Sequence, residues 1–205
     1  MDQQYKPQMD DGEADFASRS RRSPIQNCWT GGGSHTPEWK ILNGDALECL
    51  QTLPEKSVGC VVTSPPYFWL RDYNVDGQYG LEESVEEYVS KIADVILESS
   101  RVLKNDGLIF LNVGDTFYSG KGRSHGKDRK SSKRRFGLRA VDRSGGMGLN
   151  IQRKSQIGIP WRLSLELMSK GLTLRSSIIW HRKNCLPEPV RDRPSRSYEY
   201  LFMFS

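Results

Sequence analysis

The sequence predicts an α/β fold with a mostly parallel sheet. Three short apolar segments, Trp39–Asn43, Ser57–Thr63 and Leu108–Val113, have the length of strands, and each stops within two residues of a glycine or proline. Apolar residues at helical spacing follow the first two, in Ala46–Leu53 and Ser84–Leu103. This alternation is typical of sheets whose parallel strands are connected by helices. The long apolar runs also predict that Ser57–Thr63 and Leu108–Val113 are buried strands.

Both predicted helices carry start signals. Asp45 precedes the first helix and Glu48 stands three residues later, which is the spacing of a capping box. Ser84 and Glu87 repeat that arrangement at the start of the second helix. The pattern therefore places Asp45 directly after the first predicted strand. At that end of a strand it is either a plain helix cap or a residue that contacts a nucleoside in the crevice.

The rest of the chain divides into ordered and polar parts. A helix is predicted over Trp161–Lys170, and strands over Leu172–Trp180 and Tyr198–Phe204. Residues 1–37 lack periodicity and are predicted to form a disordered extension, with the glycines at 31–33 as a flexible tether. Residues 38–205 are then expected to form one domain, interrupted at about 116–156 by a basic flexible loop.

Composition excludes several classes of protein. The 205 residues are 36% hydrophobic with a mean hydropathy of −0.62, and no apolar run approaches the ~18 residues of a membrane span. The first residues have no apolar core of a signal peptide, so a cytoplasmic setting is expected. The four cysteines form no CxxC pair and the three histidines are scattered, so the spacing does not indicate a metal site.

Positive charge is concentrated in one segment. Residues 121–143 contain ten Lys and Arg against two Asp, a net charge of +8, whereas the whole chain carries +5, which leaves −3 elsewhere. Such a local excess is expected either in a solvated loop or in a segment that binds the phosphates of a nucleic acid. The candidate DNA-binding residues are Lys121, Arg123, Lys127, Arg129, Lys130, Lys133, Arg134 and Arg135.

The segment Ser64-Pro65-Pro66-Tyr67 carries the chemistry. Two prolines cannot continue a strand, so the segment lies at the carboxyl end of Ser57–Thr63, where open α/β sheets bind ligands. The Ser64 hydroxyl and the Pro65 carbonyl can accept hydrogen bonds, and Tyr67 offers an aromatic face. An acceptor pair beside an aromatic ring suits an exocyclic amino group on a planar base, held for attack on an electrophile. A base in a duplex reaches such a pocket only when it is flipped out.

Thr63-Ser64-Pro65-Pro66-Tyr67 resembles motif IV of the amino-methylating DNA methyltransferases, and its serine is more similar to the cytosine-N4 enzymes than to the adenine-N6 enzymes. Further resemblances, in the order typical of the β class, lie at 43–47, 71–73, 78–82, 101–104, 111–115, 174–180 and 183–184. The likeness extends over residues 39–204.

The resemblance implies a Rossmann-like fold and S-adenosylmethionine as methyl donor. It implies that Asp45, Ala46 and Thr63 contact this cofactor, and that Ser64, Pro65, Pro66 and Tyr67 form the catalytic pocket for a base of double-stranded DNA. It also implies a prokaryotic or phage-encoded enzyme, with Trp180 either near the flipped base or in the core. The basic segment would hold phosphates.

One expected motif does not occur. The sequence after Tyr67 contains no F-x-G-x-G cofactor loop, and it lacks the target-recognition region expected after residue 184. The fold is therefore expected to be incomplete at its C-terminus. Three alternatives are open: an inactive fragment, one part of a split enzyme completed by a second polypeptide, or a module that only binds nucleic acid. A methyltransferase acting on RNA or on protein amides is a further alternative.

Overall fold

The computed structural model describes residues 25–68, 70–71, 73, 75–82, 84–118, 152, 154–185 and 191–205. The chain forms two compact units, Met1–Cys49 and Leu50–Ser205, and the boundary falls inside a short helix. Within the described residues, every helix is too short or too polar to be a transmembrane span.

The first unit contains an antiparallel hairpin of β1 (Ile25–Gly33) and β2 (Thr36–Gly44). The Trp39 ring lies so close to Gly31 that a Cβ there would be 2.4 Å from a ring carbon, and Gly32 has a φ of +105°. The glycines at 31–33, expected to form a flexible tether, therefore belong to β1. Close packing against Trp39 requires a glycine at position 31, and the left-handed backbone favours one at position 32. Residues 25–37 thus differ from the predicted disordered extension, and residues 1–24 lie outside the described part.

Helix α1 (Ala46–Gln51) begins where the cap predicted it. The Asp45 Oδ1 atom accepts hydrogen bonds from the backbone N–H groups of Leu47 at 2.9 Å and Glu48 at 3.1 Å. These contacts satisfy two of the donors that a helix leaves unpaired at its start.

The second unit is built on a four-stranded mixed sheet with the order β3-β4-β6-β5. Its strands are β3 (Val58–Thr63), β4 (Leu103–Val113), β5 (Leu174–His181) and β6 (Tyr198–Phe204). The α/β class and the strands are confirmed, but the mostly parallel sheet is wrong. Among the described strands only β3 and β4 run parallel, because β6 is antiparallel to both of its neighbours, β4 and β5. The predicted strand at Trp39 belongs to the separate hairpin.

Two helices pack on one face of this sheet. Helix α2 (Val85–Val102) starts at Ser84, whose side chain accepts from the Glu87 N–H as predicted. Helix α3 is Ile159–Ser169, with Pro160 in its first turn. The buried core joins these helices to alternate residues of the central strands, namely Ile109, Leu111, Val113, Phe202 and Phe204, each 0% exposed.

The opposite face of the sheet is left uncovered by the described helices. Val62 in β3 is 77% exposed and Cys60 is exposed, so the prediction of a fully buried strand is wrong for this strand. Its neighbour Val61 does pack against the core. The alternation follows from the pleat, which points successive side chains to opposite faces.

Candidate active site

Ser64, Pro65, Pro66 and Tyr67 lie directly after the last residue of β3, at the carboxyl end of the strand, as predicted. Ser64 is exposed, whereas the two prolines and Tyr67 are half-buried. The prolines end the strand because they lack the N–H groups that a ladder needs. The four residues, which we call the Ser64 turn, therefore form a rigid segment with one hydroxyl open to solvent.

Two polar residues from other strands bind the Tyr67 hydroxyl. It lies 2.9 Å from Asn112 Oδ1, on β4, and 2.7 Å from Glu199 Oε2, on β6. Burial and, after it, the hydrogen bond to Glu199 raise the pKa of Tyr67 to about 12. The side chain is therefore a neutral phenol under physiological conditions.

The Asn112 side chain also connects to Ser64. Its Oδ1 atom accepts from the Ser64 hydroxyl at 3.3 Å, and its Nδ2 atom donates to the Tyr200 carbonyl at 3.0 Å. On the other side of the network, Arg182 Nη1 lies 3.1 Å from Glu199 Oε1. A single set of hydrogen bonds therefore joins the ends of β3, β4, β5 and β6 around the Ser64 turn.

The turn is also held from the helical side of the sheet. The hydroxyl of Tyr88, a fully buried residue of α2, donates to the Pro66 carbonyl at 2.9 Å. The backbone at Gly114 lies against the Tyr67 ring, so a Cβ there would be 2.4 Å from a ring carbon. Gly80, with a φ of +98°, brings its backbone against Pro66 and the Tyr67 carbonyl. Both glycines are required by close approach.

The predicted cofactor residues are divided between the two units. Thr63 is the half-buried last residue of β3, whereas Asp45 and Ala46 belong to the first unit, at the start of α1. The helix-cap interpretation of Asp45 is confirmed by its two backbone contacts. Contact with a cofactor stays a prediction for all three residues.

The predicted DNA-binding residues, from Lys121 to Arg135, lie outside the described residues. The structure does describe both ends of the chain segment that contains them. Phe117 and Gln156 form an antiparallel bridge, and the Tyr118 N–H donates to the Ser155 carbonyl at 2.8 Å. The segment therefore leaves and returns at one place, just after the carboxyl end of β4.

Asp115 holds the start of α3 beside this place. Its carboxylate accepts from the backbone N–H groups of Gly158 at 3.0 Å and Ile159 at 3.1 Å. Burial raises the pKa of Asp115, although these hydrogen bonds act in the opposite direction. This remote cap replaces the side chain that Gly158 lacks at the N-cap position.

Sequence reasoning missed the residues that tie the Ser64 turn together, namely Asn112, Glu199, Arg182 and Tyr88. Glu199 had a usable signal, since it is the single charged residue of the apolar strand Tyr198–Phe204. Asn112 stands in the stretch 111–115, whose resemblance drew attention to a strand end but not to this side chain. Tyr88 could not be distinguished from an ordinary core residue by its helical spacing.

Comparison with known proteins identifies the family. The model of the family described as DNA methylase, which comprises N6 and N4 methyltransferases, matches residues 58–205, and this range contains the whole four-stranded sheet. The chain belongs to the N6/N4 DNA methylase family. The predicted resemblance is thereby confirmed, and the methyl donor of this family is S-adenosylmethionine.

Two similar proteins are bacterial Type II methyltransferases. M.Cfr9I of Citrobacter freundii is 42% identical over 80% of this chain and 53% of its own length. M.SmaI of Serratia marcescens is 43% identical over 81% of this chain and 55% of its own length. The chain therefore spans about half the length of these relatives.

A solved structure of a DNA methyltransferase has a similar fold. The PvuII DNA methyltransferase, described as cytosine-N4-specific, superposes with a TM-score of 0.51 at 22% identity over 79% of this chain and 47% of that chain. At this level of identity the likeness concerns the fold. It agrees with the Rossmann-like methyltransferase sheet expected from the sequence.

Proposed function

We propose that this chain is the catalytic region of a site-specific DNA methyltransferase that modifies the exocyclic amino group of a flipped base, with cytosine N4 favoured over adenine N6. Family membership supports the reaction class. The observation that carries the proposal is the Ser64 turn, which stands at the carboxyl end of β3 with Ser64 exposed and Tyr67 fixed. We propose that these two residues hold the amine and its base.

The acceptors available in the turn suit a primary amine. The Pro66 carbonyl already accepts a hydrogen bond from the Tyr88 hydroxyl. The Pro65 carbonyl accepts none from the described residues. Ser64 and Pro65 therefore provide one acceptor for each N–H of the amine. Hydrogen bonds to both N–H groups raise the electron density on nitrogen, which favours its attack on an electrophilic methyl group.

The transfer needs no covalent bond to the protein. When bound, S-adenosylmethionine would supply an electrophilic methyl group on a sulfonium, which would leave as a neutral thioether, and the displaced amine proton would pass to solvent. Ser64 and Pro65 orient the nitrogen, and Tyr67 limits the position of the base ring. The preference for cytosine rests on Ser64, since the serine form of the motif resembles the cytosine-N4 enzymes.

Asp45, Ala46 and Thr63 are the residues proposed to contact the cofactor. The Asp45 carboxylate is oriented by two backbone N–H groups, which is suitable for an acceptor that meets the hydroxyls of a ribose. Ala46 follows it in α1, and Thr63 precedes Ser64. The methionine end would require a glycine-rich loop, and the sequence has no F-x-G-x-G segment after Tyr67.

We therefore propose that a further polypeptide segment, in a second chain or in the same protein, completes the cofactor site and the recognition region. The relatives are about twice as long as the matched region. The uncovered face supports this proposal, because Val62 is 77%, Trp180 55% and Ile178 39% exposed.

The basic segment is proposed to bind the phosphates of double-stranded DNA. Its residues are Lys121, Arg123, Lys127, Arg129, Lys130, Lys133, Arg134 and Arg135. The antiparallel bridge between Phe117 and Gln156 lies at the base of this segment, a few residues after the carboxyl end of β4. We propose that the protein acts on DNA in the cytoplasm, since the family is described as DNA methylase and both named relatives are bacterial.

The proposal is tested with the purified chain, alone and mixed with a polypeptide that spans the part of M.SmaI beyond the matched region. Titration calorimetry with S-adenosylmethionine measures cofactor binding, and nucleoside mass spectrometry of treated DNA measures the product. We expect binding and N4-methylcytosine in the mixture. No binding in either arm would overturn the enzyme proposal, and N6-methyladenine would overturn the choice of base.

A deletion variant tests the DNA contact. Removal of residues 121–143 should weaken binding to duplex DNA and reduce the dependence of affinity on salt, since each phosphate contact contributes to the salt slope. Unchanged affinity would exclude this segment as the phosphate-binding surface. If the chain binds DNA but methylates none, both alone and in the mixture, the result would instead favour a module that only binds nucleic acid.

A further inference from the structure

The hydroxyls of Ser64 and Tyr67 share one acceptor. Both lie within hydrogen-bond distance of Asn112 Oδ1, Ser64 at 3.3 Å and Tyr67 at 2.9 Å. The Asn112 Nδ2 atom donates to the Tyr200 carbonyl at 3.0 Å. A 180° flip of the amide, which would exchange its oxygen and nitrogen, would break this hydrogen bond. The amide oxygen therefore faces the two hydroxyls.

The number of hydroxyl protons determines which hydroxyl donates to Asn112 and which to Glu199. Each hydroxyl has a single proton to donate. The Tyr67 hydroxyl lies closer to Glu199 Oε2, at 2.7 Å, than to Asn112 Oδ1, and a carboxylate is the stronger acceptor. Arg182 Nη1 lies 3.1 Å from the second oxygen of Glu199, Oε1, so Oε2 is the oxygen that faces Tyr67. The Tyr67 proton is thus directed to Glu199. The Ser64 proton is left for the acceptors on the protein side, namely Asn112 Oδ1 and the Tyr67 oxygen, with which Ser64 also forms a hydrogen bond.

The orientation of the Ser64 proton determines what Ser64 can do. When its proton points to Asn112, the lone pairs of Oγ are directed away from Asn112, toward solvent. An amine that approaches from there finds an acceptor. When the proton instead points outward, the same hydroxyl is a donor and repels the N–H groups of an amine.

We propose that Asn112 and Glu199 are positioning residues that hold Ser64 as a hydrogen-bond acceptor for the target amine. Asn112 acts by accepting the Ser64 proton, and Glu199 acts by removing the competing Tyr67 proton from Asn112. This inference rests on the proposed function, because it names residues that prepare the same amine site.

The alternative role for these contacts is structural. They join β3, β4 and β6, so in that role the loss of one contact simply destabilises the sheet. A structural role predicts that substitutions at Asn112 and Ser64 act independently. The positioning role predicts that Asn112 acts only through Ser64, and this difference can be measured with a double-mutant cycle.

The first experiment compares Ser64→Ala, Asn112→Ala and the double variant in the methylation-competent preparation, with kcat and KM measured for DNA and for S-adenosylmethionine. We expect Asn112→Ala to lower kcat about ten-fold, the size of one lost hydrogen bond, with an unchanged KM for S-adenosylmethionine. In the Ser64→Ala background the second substitution should have no further effect. Multiplied effects would overturn the proposal.

Asn105→Ala is the matched control, since Asn105 is an exposed residue at the other end of the same strand. It should leave kcat unchanged. Thermal unfolding of every variant, followed by circular dichroism, shows whether the protein is folded. Should Asn112→Ala fail to fold, the cycle through Glu199 and Tyr67 replaces it.

The second cycle combines Glu199→Gln with Tyr67→Phe. Glutamine keeps the shape of the side chain but removes the charge that attracts the Tyr67 proton. We expect Glu199→Gln to lower kcat by about three- to ten-fold when Tyr67 is present and to have no effect in the Tyr67→Phe background. An equal effect in both backgrounds would overturn the role assigned to Glu199.

The two proposals fail in different ways. An unsubstituted preparation that binds no S-adenosylmethionine and methylates no DNA overturns the proposed function and, with it, this inference. A preparation that methylates DNA but gives multiplied effects in both cycles overturns the inference alone. Non-additive effects in both cycles support it.

Discussion

The two faces of the four-stranded sheet differ in what they contribute. On the covered face, Ile109, Leu111 and Phe202 are 0% exposed and pack beneath α2 and α3. On the uncovered face, the alternate residues Asn112 and Glu199 bind the Ser64 turn. Because side chains alternate along a strand, one pleated strand supplies both faces. Stability and proposed chemistry are therefore separated by the pleat rather than by position along the chain.

The largest effect is expected from a covered aromatic residue. Phe202→Ala should reduce the free energy of unfolding by about 3–5 kcal/mol, because it removes a fully buried ring and leaves a cavity. Trp180→Ala on the uncovered face should cost less than about 1 kcal/mol, since Trp180 is 55% exposed. Urea denaturation measures both values, and equal losses would contradict the difference between the two faces.

A smaller effect is expected where the covered side supports the turn. Tyr88→Phe removes the donor to the Pro66 carbonyl and should lower the free energy of unfolding by about 1–2 kcal/mol. Tyr73→Phe, at a tyrosine that is 51% exposed, is the matched control and should change it by less than about 0.5 kcal/mol. Identical urea midpoints for the two variants would contradict the support assigned to Tyr88.

The uncovered side of the turn gives a pH-dependent effect. The pKa of Tyr67 is raised to about 12 from the ordinary value of 10.0, so the folded state keeps a proton that the unfolded state loses between these values. The stability that Tyr67 contributes is complete below pH 10 and declines as the pH rises toward 12. Tyr67→Phe should therefore show a shallower decline in unfolding free energy over this range than the unsubstituted chain. Parallel curves would exclude the burial and hydrogen bonding assigned to Tyr67.

The smallest effect on stability is expected at the centre of the uncovered face. Val62→Lys should change the free energy of unfolding by less than about 0.5 kcal/mol, because Val62 is 77% exposed. The same substitution should impair methylation in the mixture with the M.SmaI polypeptide if that segment covers this face. A large loss of stability in the chain alone would show that the face is already covered.

The sequence by itself determined the α/β class, the end of β3 at two prolines, and both helix caps. These features depend on neighbouring residues, such as Ser84 with Glu87, and local geometry decides them. The acceptor chemistry of Ser64 and Pro65 could also be predicted, because it follows from the residue types alone.

Only the tertiary structure decided which residues hold that turn. Asn112 and Glu199 stand 48 and 135 positions after Ser64, and no local pattern connects residues so far apart. Strand pairing brings them together, since β4 lies between β3 and β6 in the sheet. The antiparallel direction of β6 and the exposure of Val62 were likewise missed, because an apolar strand has the same pattern in either direction and on either face. Burial depends on what packs against a strand, and that is decided by the fold as a whole.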